Sequence, residues 1–522
     1  MEEREKGKPG GPKEVILGPP GTGKTTRLLD IVEHYLQEGI TPDQIGYFSY
    51  TVRAATEAST RAIKQFSNYI EKDFKSFRTL HSLALAHMPK YRNRLMQPAD
   101  YKDFGKKCNI NFNNVTQSEE DGVLKTSNEY LNLINLSVIT KKSIIEVMRD
   151  RNYRESNIIP DRAEKIHSEL QAYKKAKGLI DFNDLLIKFA ELDYEHIPSY
   201  EVLIIDEAQD LSTIQWDVVA KLVHNSRNYH IAGDDDQAIY VWAGASVDLF
   251  RNLTKIPGIK VTELTQSYRV PKLHYYLAKR VIERDAGRIP KKYLPADREG
   301  VVERPSTMWN VDMRRPGHWL IIANEHKFLL QAEEMVKQKG LLYIYHNKGG
   351  ISDAIIKIIG VWEKFRQGGI ELKGEQIKEI YKYMGKNVAH GYKNGKKSPD
   401  DLDTYDVIKC SEGFGLLTKD SWDKALIGLN ESDIAYLKRI ESTGGKIAGK
   451  ATVRISTISS IKGAEADNVI LFSDIGYPTY AAIHKGDAEG HRKFYVGLTR
   501  SKNYLAIVKE NTGERSYGYK IK

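Results

Sequence analysis

Short apolar runs separated by polar, helix-periodic stretches set the outline of this chain. Val15, Ile16 and Leu17 form an apolar run that stops at a glycine, which predicts a buried strand. Beyond it, Leu28, Val32, Tyr35 and Leu36 recur on one face of a helix that ends at Gly39. Val202 to Ile205 is a second apolar strand, and it runs directly into two adjacent acids, Asp206 and Glu207. Further strands are expected at Trp319–Ala323, Asn468–Phe472 and Tyr504–Val508, whereas residues 89–179 are mostly helical in pattern. Strands alternating with helices predict an α/β fold built on parallel sheets. No run of about 18 uncharged apolar residues occurs, so no membrane-spanning helix is expected.

Composition narrows this outline only a little. At 522 residues the chain exceeds one hydrophobic core, and several domains are expected. Its 79 Lys and Arg against 69 Asp and Glu leave a net charge of +10, compatible with a polyanionic partner but shared by many proteins without one. The two cysteines, Cys108 and Cys410, lie far apart and lack His or Cys neighbours at ligand spacing, which argues against a disulfide framework or a zinc site. A reducing cytoplasm fits, the host's for a viral chain. Residues 1–13 are charged and rich in Gly and Pro, so a flexible tail rather than a secretory signal is expected.

The chemistry begins at Gly18-Pro-Pro-Gly-Thr-Gly-Lys-Thr25, which has P-loop spacing between a strand and a helix. In such a loop Gly18, Gly21, Thr22, Gly23 and Thr26 bring backbone N–H groups around phosphates. Lys24 would reach the β- and γ-phosphates of ATP, and Thr25 would hold Mg²⁺. Asp206 and Glu207 stand at the carboxyl end of their strand, where ligands of open α/β sheets bind. Asp206 would serve Mg²⁺, and Glu207 would orient and deprotonate the attacking water.

With these residues goes a family resemblance. Asp206-Glu-Ala-Gln209, Gly233 to Ala245, Gln266-Ser-Tyr-Arg269, Thr457 to Glu465 and Tyr495 to Arg500 follow in the order of the motifs of superfamily 1 DNA helicases of the UvrD, Rep and PcrA type, which the chain resembles from Leu17 to about Val508. The resemblance implies two RecA-like motor domains. It also implies that Gln237 senses the γ-phosphate, Tyr268 stacks on adenine, Arg269 touches the γ-phosphate, Glu465 bonds the ribose and Arg500 acts as an arginine finger. Tyr50, Arg53, Thr79, His81, Tyr240 and Trp242 are the implied DNA contacts. Taken singly, Tyr240 and Trp242 suit a core, and Arg269 and Arg500 suit surface ion pairs; the surrounding motifs favour the functional roles. Physical chemistry agrees with those roles: guanidinium groups suit a transferring phosphoryl group, and aromatic rings accept any base.

The chain departs from the family at several points. No Gln precedes residue 37, so the upstream glutamine motif is missing, and Ala243, Ser267 and Ser459 stand where Arg, Asn and His are usual.

The expected organisation is a first motor domain of residues 14–88 and 180–272 with a helical insertion at 89–179. A second motor domain would comprise 273–345 and 446–522, with an insertion at 346–445 whose basic stretch, Tyr381 to Lys397, is either a duplex contact or a solvated face. No nuclease domain or long tail is expected after the sixth motif. The leading expectation is an ATP-dependent helicase moving 3′→5′ on single-stranded DNA and opening junctions with duplex. Alternatives are a translocase that displaces proteins and an ATP-gated DNA-binding module. Replication or repair proteins are the expected partners.

Overall fold

A computed structural model describes residues 11–50, 52–112, 114–117, 124–150, 158–345, 348–509 and 515–519. The expected tail at 1–13 falls largely outside them. By contacts the chain forms two compact units, one comprising the chain through Glu299 together with Gly486–Thr499, the other Gly300–Lys485 and Arg500–Lys522.

The first unit is built on six parallel strands: β1 (Lys13–Leu17), β2 (Ile45–Ser49), β3 (Phe77–Arg78), β4 (Val202–Asp206), β5 (Asn228–Gly233) and β6 (Lys260–Glu263). Their order is β3-β2-β4-β5-β1-β6, so the strand leading into the P-loop is flanked by β5 and β6, and β4 lies one strand further on. Strand periodicity explains the layering. Val15, Leu17, Phe48, Leu203 and Ile205 enter one apolar core, while Ile16, Tyr47, Val202 and Ile204 enter the core on the opposite face. Both faces are therefore covered, as a parallel sheet requires. Helices α1 (Lys24–Gln37) and α2 (Val52–Gln65) accompany the strands, and α3 (Leu80–His87) follows β3. Helix α1 buries Leu28, Leu29, Ile31, Val32 and Tyr35, four of which the 3.6-residue pattern places on or beside one stripe. Each such side chain contributes about 1.5–3 kcal/mol when fully buried.

The helical segment between β3 and β4 shares this core: Leu131, Ile134, Leu170 and Tyr173 pack in the same cluster as Val15 and Phe48. The expected insertion at 89–179 is thus continuous with the sheet layer rather than a body with its own core. The unit also includes α4 (Lys272–Ile282), beyond the expected boundary at 272.

The main sheet of the second unit has seven strands: β7 (Val301–Glu303), β8 (Trp319–Ala323), β9 (Tyr343–Tyr345), β10 (Lys348–Gly349), β11 (Val453–Thr457), β12 (Ala466–Phe472) and β13 (Ser501–Val508). Their order is β10-β9-β11-β8-β12-β13-β7, parallel throughout except for the β9–β10 hairpin. The three strands anticipated from apolar runs are present. Helix α5 (Leu330–Gln338) and helix α6 (Glu431–Ser442) join this unit, and its core runs from Trp319 and Ile470 into Trp362, Tyr381 and Trp422 of the second insertion. In the basic stretch Tyr381 is buried, whereas Lys382, Lys386, Lys393, Lys396 and Lys397 are exposed. Helix α7 (Glu489–Leu498) belongs to the first unit although its neighbours in sequence on both sides belong to the second. The expected second motor domain at 273–345 and 446–522 is therefore divided differently in the structure. Helix α7 packs along α4, and its Arg492 donates to the Ala238 carbonyl at 2.7 Å and pairs at 2.8 Å with Asp285, which follows α4.

Candidate nucleotide site and nucleic-acid interface

Leu17 ends β1 beside Gly233, whose carbonyl accepts a hydrogen bond from Gly18 N–H at 3.0 Å. The loop then turns through Gly21 at φ 75° and Gly23 at φ 80°, a region where side chains are strained. At Gly21 a Cβ would also come within 2.5 Å of the Arg269 Cβ. Gly23 caps α1 without any side-chain hydrogen bond, and the first turn holds no acid, so the helix amides and the positive end of its dipole remain open to an anion. Thr22 is turned inward and donates to the Pro19 carbonyl at 2.8 Å.

Lys24 Nζ lies 2.6 Å from Glu207 Oε1 and 3.5 Å from Asp206 Oδ1. Burial alone would pull its pKa down, but the Glu207 and Asp206 carboxylates outweigh this and hold it above the ordinary lysine value. Asp206 is itself buried and accepts a hydrogen bond from Tyr47 OH at 3.0 Å. Burial raises its pKa, and Lys24 opposes the rise. Glu207 sits at φ 55°, a conformation rare for a residue with a side chain, directly after the strand. A half-buried cation, a hydroxyl at Thr25, a buried carboxylate and an open helix terminus fit the phosphate tail of ATP with Mg²⁺.

From Glu207 a hydrogen-bonded path leads onward. Gln209 Nε2 donates to Glu207 Oε2 at 2.6 Å, Asp234 N–H donates to Gln209 Oε1 at 3.0 Å, and Gln237 Nε2 donates to Asp234 Oδ2 at 2.8 Å. The segment Gln266–Arg269 is strapped to the P-loop: Tyr268 N–H donates to the Gly21 carbonyl at 2.8 Å, and Ser267 Oγ donates to the Pro20 carbonyl at 2.9 Å. Ser267 also accepts from Val270 N–H, so this departure from the usual Asn works as a turn lock. The Tyr268 ring is 73% exposed beside that loop, free to stack. Arg269 is half-buried nearby.

Comparison with known proteins matches these features. Residues 2–257 fit the family model of the UvrD/REP helicase N-terminal domain, and residues 416–512 that of the UvrD-like helicase C-terminal domain. The chain belongs to the UvrD/Rep helicase family. It is 26% identical over 298 residues to the ATP-dependent DNA helicase PcrA of Leuconostoc citreum, a match spanning 53% of this chain and 38% of that protein. To DNA helicase II of Escherichia coli it is 26% identical over 296 residues, spanning 53% of this chain and 39% of the other. To the helicase Rep of Buchnera aphidicola (strain Bp) it is 25% identical over 264 residues, 49% of this chain and 38% of Rep. The matches thus span about two fifths of the length of these relatives.

In this UvrD-like chain the residues implied as DNA contacts separate into two groups. The rings of Tyr50 and Tyr240 stack with centroids 5.5 Å apart, and Trp242 is 49% exposed, so all three suit a base platform. Thr79 and His81 do not face solvent. Thr79 is buried and caps α3, its Oγ1 accepting from Ser82 N–H at 3.2 Å. His81 is 5% exposed, packs edge-on against Phe182, and its ring nitrogens have no hydrogen-bond partner among the described residues. Burial pushes its pKa down to about 4, which keeps it neutral. Thr79 and His81 are both buried because the apolar face of α3, with Leu80, Leu83 and Ala84, packs into the core, so neither side chain presents a surface to DNA as the resemblance implies. The Arg53 side chain lies outside the described residues.

On the second unit, Glu465 is exposed and paired with Lys502, and Arg500 is buried with Nη1 donating to the Ala464 carbonyl at 3.3 Å. Sequence alone did not disclose a charge cluster in the first unit. Lys291 lies among Asp234, Asp235 and Asp236, at 2.8 Å from the first and 3.0 Å from the last. Arg288 grips Asp236 through two nitrogens, and Arg251 bridges Asp235 and Asp285, which also binds Arg492. Four carboxylates and four cations balance there, so the three adjacent acids are an ionic scaffold and not a metal site. The cue in the sequence was the unusual run of acids itself; their basic partners lie 16 to 57 residues away.

Proposed function

We propose that this chain is an ATP-driven DNA helicase that moves 3′→5′ along single-stranded DNA and opens duplex at single-strand junctions. The observation that carries this reading is the loop from Asp234 to Ala245. Its first residues are hydrogen-bonded into the nucleotide site through Gln209 and Gln237, and its last carry Tyr240, half-buried against Tyr50, and the exposed Trp242. One short segment thereby links phosphate chemistry to a base platform, the minimum for coupling hydrolysis to movement. Family membership supports the same reading, and polarity rests on that resemblance alone.

In this proposal Lys24 and the α1 amides hold the phosphates, and Thr25 and Asp206 hold Mg²⁺, which neutralises phosphate charge when bound. Glu207 accepts the proton of the attacking water, and Gln237 and Arg269 stabilise charge on the transferred phosphoryl group. Tyr268 stacks on the base and takes on more of its recognition than in relatives with an upstream glutamine motif. The two units are proposed to act as the two motor domains, with replication or repair proteins as partners in a cytoplasmic setting. No helix of the described residues is long and apolar enough to cross a membrane.

Strand displacement from duplexes bearing a 3′ or a 5′ single-stranded tail, with ATP and Mg²⁺, tests the reading. Displacement from the 3′-tailed duplex is expected. Preference for the 5′ tail overturns the polarity, and DNA-stimulated ATPase activity without displacement turns the reading into a protein-displacing translocase.

A further inference from the structure

The second unit contains a cavity of about 740 Å³ that none of the helicase motifs lines. It opens where chain segments enter the amino ends of three strands: Asp312 to Arg314 ahead of β8, Lys339 to Leu342 ahead of β9, and Thr452 ahead of β11. Its remaining wall is the end of α6 and the glycine-rich loop Thr443 to Lys450. None of the residues assigned to nucleotide lines this cavity.

Two features define its chemistry. The floor is apolar, formed by Met313, Leu341, Leu342 and Ile440. The rim is cationic. Arg314 is neutralised by Asp312, which it grips at 2.8 and 3.1 Å, but Lys339, Arg439, Lys446 and Lys450 have no carboxylate within ion-pairing distance among the described residues. The cradle is held in shape. Gly340, at φ 66°, passes so close to α6 that a Cβ would lie 2.7 Å from the Arg439 carbonyl, and Tyr436 OH donates to the Leu341 carbonyl at 2.6 Å. Within the loop, Gly445 N–H donates to the Ile440 carbonyl at 2.9 Å and Gly449 N–H to the Lys446 carbonyl at 2.8 Å.

We propose that this cavity is a docking site for an acidic peptide segment of a partner protein, one that carries an apolar side chain among its carboxylates. Four uncompensated cations call for an anionic ligand. The concave apolar floor then decides the kind. A DNA backbone presents phosphates on a convex surface and has no apolar group to fill such a floor, whereas a short acidic peptide supplies both charge and an aliphatic or aromatic anchor. Docking here leaves the nucleotide site untouched, and the inference stands independently of the direction or efficiency of unwinding.

The test uses the full chain and a fluorescein-labelled decapeptide of Asp and Glu with one central Leu, followed by fluorescence anisotropy. Saturable binding in the micromolar range is expected, weakening at least tenfold in the double variant Lys446→Glu, Lys450→Glu. Replacing the peptide's Leu with Ala is expected to weaken binding several-fold, and raising salt to weaken it further. DNA-stimulated ATPase activity of the double variant should match the unmodified chain, which keeps this test distinct from that of the helicase reading. Peptide binding that is absent, or equal in the double variant, overturns the proposal. So does loss of binding to a labelled duplex in the double variant with no peptide binding by the unmodified chain, which reassigns the cavity to DNA.

Discussion

Lys24 Nζ donates to Glu207 Oε1 at 2.6 Å, joining the cation of the P-loop to the acid proposed as the base. The pair predicts two different failures. Lys24→Ala should abolish ATP hydrolysis while single-strand affinity stays within a few-fold. Glu207→Gln should retain nucleotide binding but lower kcat by about 10²–10⁴-fold, the usual range for loss of a general base. A coupled ATPase assay alongside fluorescent-nucleotide binding separates them, and hydrolysis at the unmodified rate in Lys24→Ala would refute the P-loop assignment.

Tyr268 offers an exposed ring tied down only through its backbone, so Tyr268→Ala should leave stability within about 0.5 kcal/mol. Loss of stacking should raise KM for ATP by about threefold to tenfold, and Tyr268→Phe should restore it. Steady-state kinetics decide this; an unchanged KM in Tyr268→Ala removes the residue from adenine recognition.

Trp242 and His81 were both implied as DNA contacts, but only Trp242 is accessible. Trp242→Ala should weaken single-strand binding by about 1–3 kcal/mol and raise the ATP consumed per base pair opened. His81→Leu should leave single-strand affinity unchanged. Anisotropy titrations with an oligonucleotide measure both, and loss of affinity in His81→Leu would restore His81 to the interface.

The same histidine predicts a pH dependence of stability. Its folded value of about 4 lies below the ordinary 6.5, so over that interval the unfolded chain takes up a proton that the folded chain refuses. Stability present above pH 6.5 is therefore lost as pH falls, by up to about 3 kcal/mol from this group. Urea denaturation at pH 7 and pH 5 should show a smaller drop in His81→Leu than in the unmodified chain; equal drops would contradict the assignment.

Lys291 is 1% exposed amid three carboxylates. Lys291→Met leaves buried charge uncompensated and should destabilise the first unit by about 3–5 kcal/mol. Thermal unfolding measures this, and an unchanged midpoint would show that the acids are neutralised in another way.

What the sequence determined by itself was everything governed by local spacing. The P-loop between β1 and α1, the acids closing β4, the apolar strands of both sheets and the order of the motifs are contiguous patterns, and the backbone realises them where they occur. Tertiary structure decided which partners those residues meet. Ser267 became a lock on Pro20, His81 turned into the core, and the acids from Asp234 to Asp236 found Lys291, Arg288 and Arg251. It also brought α7 to Asp285 and gathered a cationic rim around an apolar floor from three strand ends and a loop. Such pairings join residues tens to hundreds of positions apart. No local period records them, because burial and charge compensation are satisfied only once the sheets have assembled.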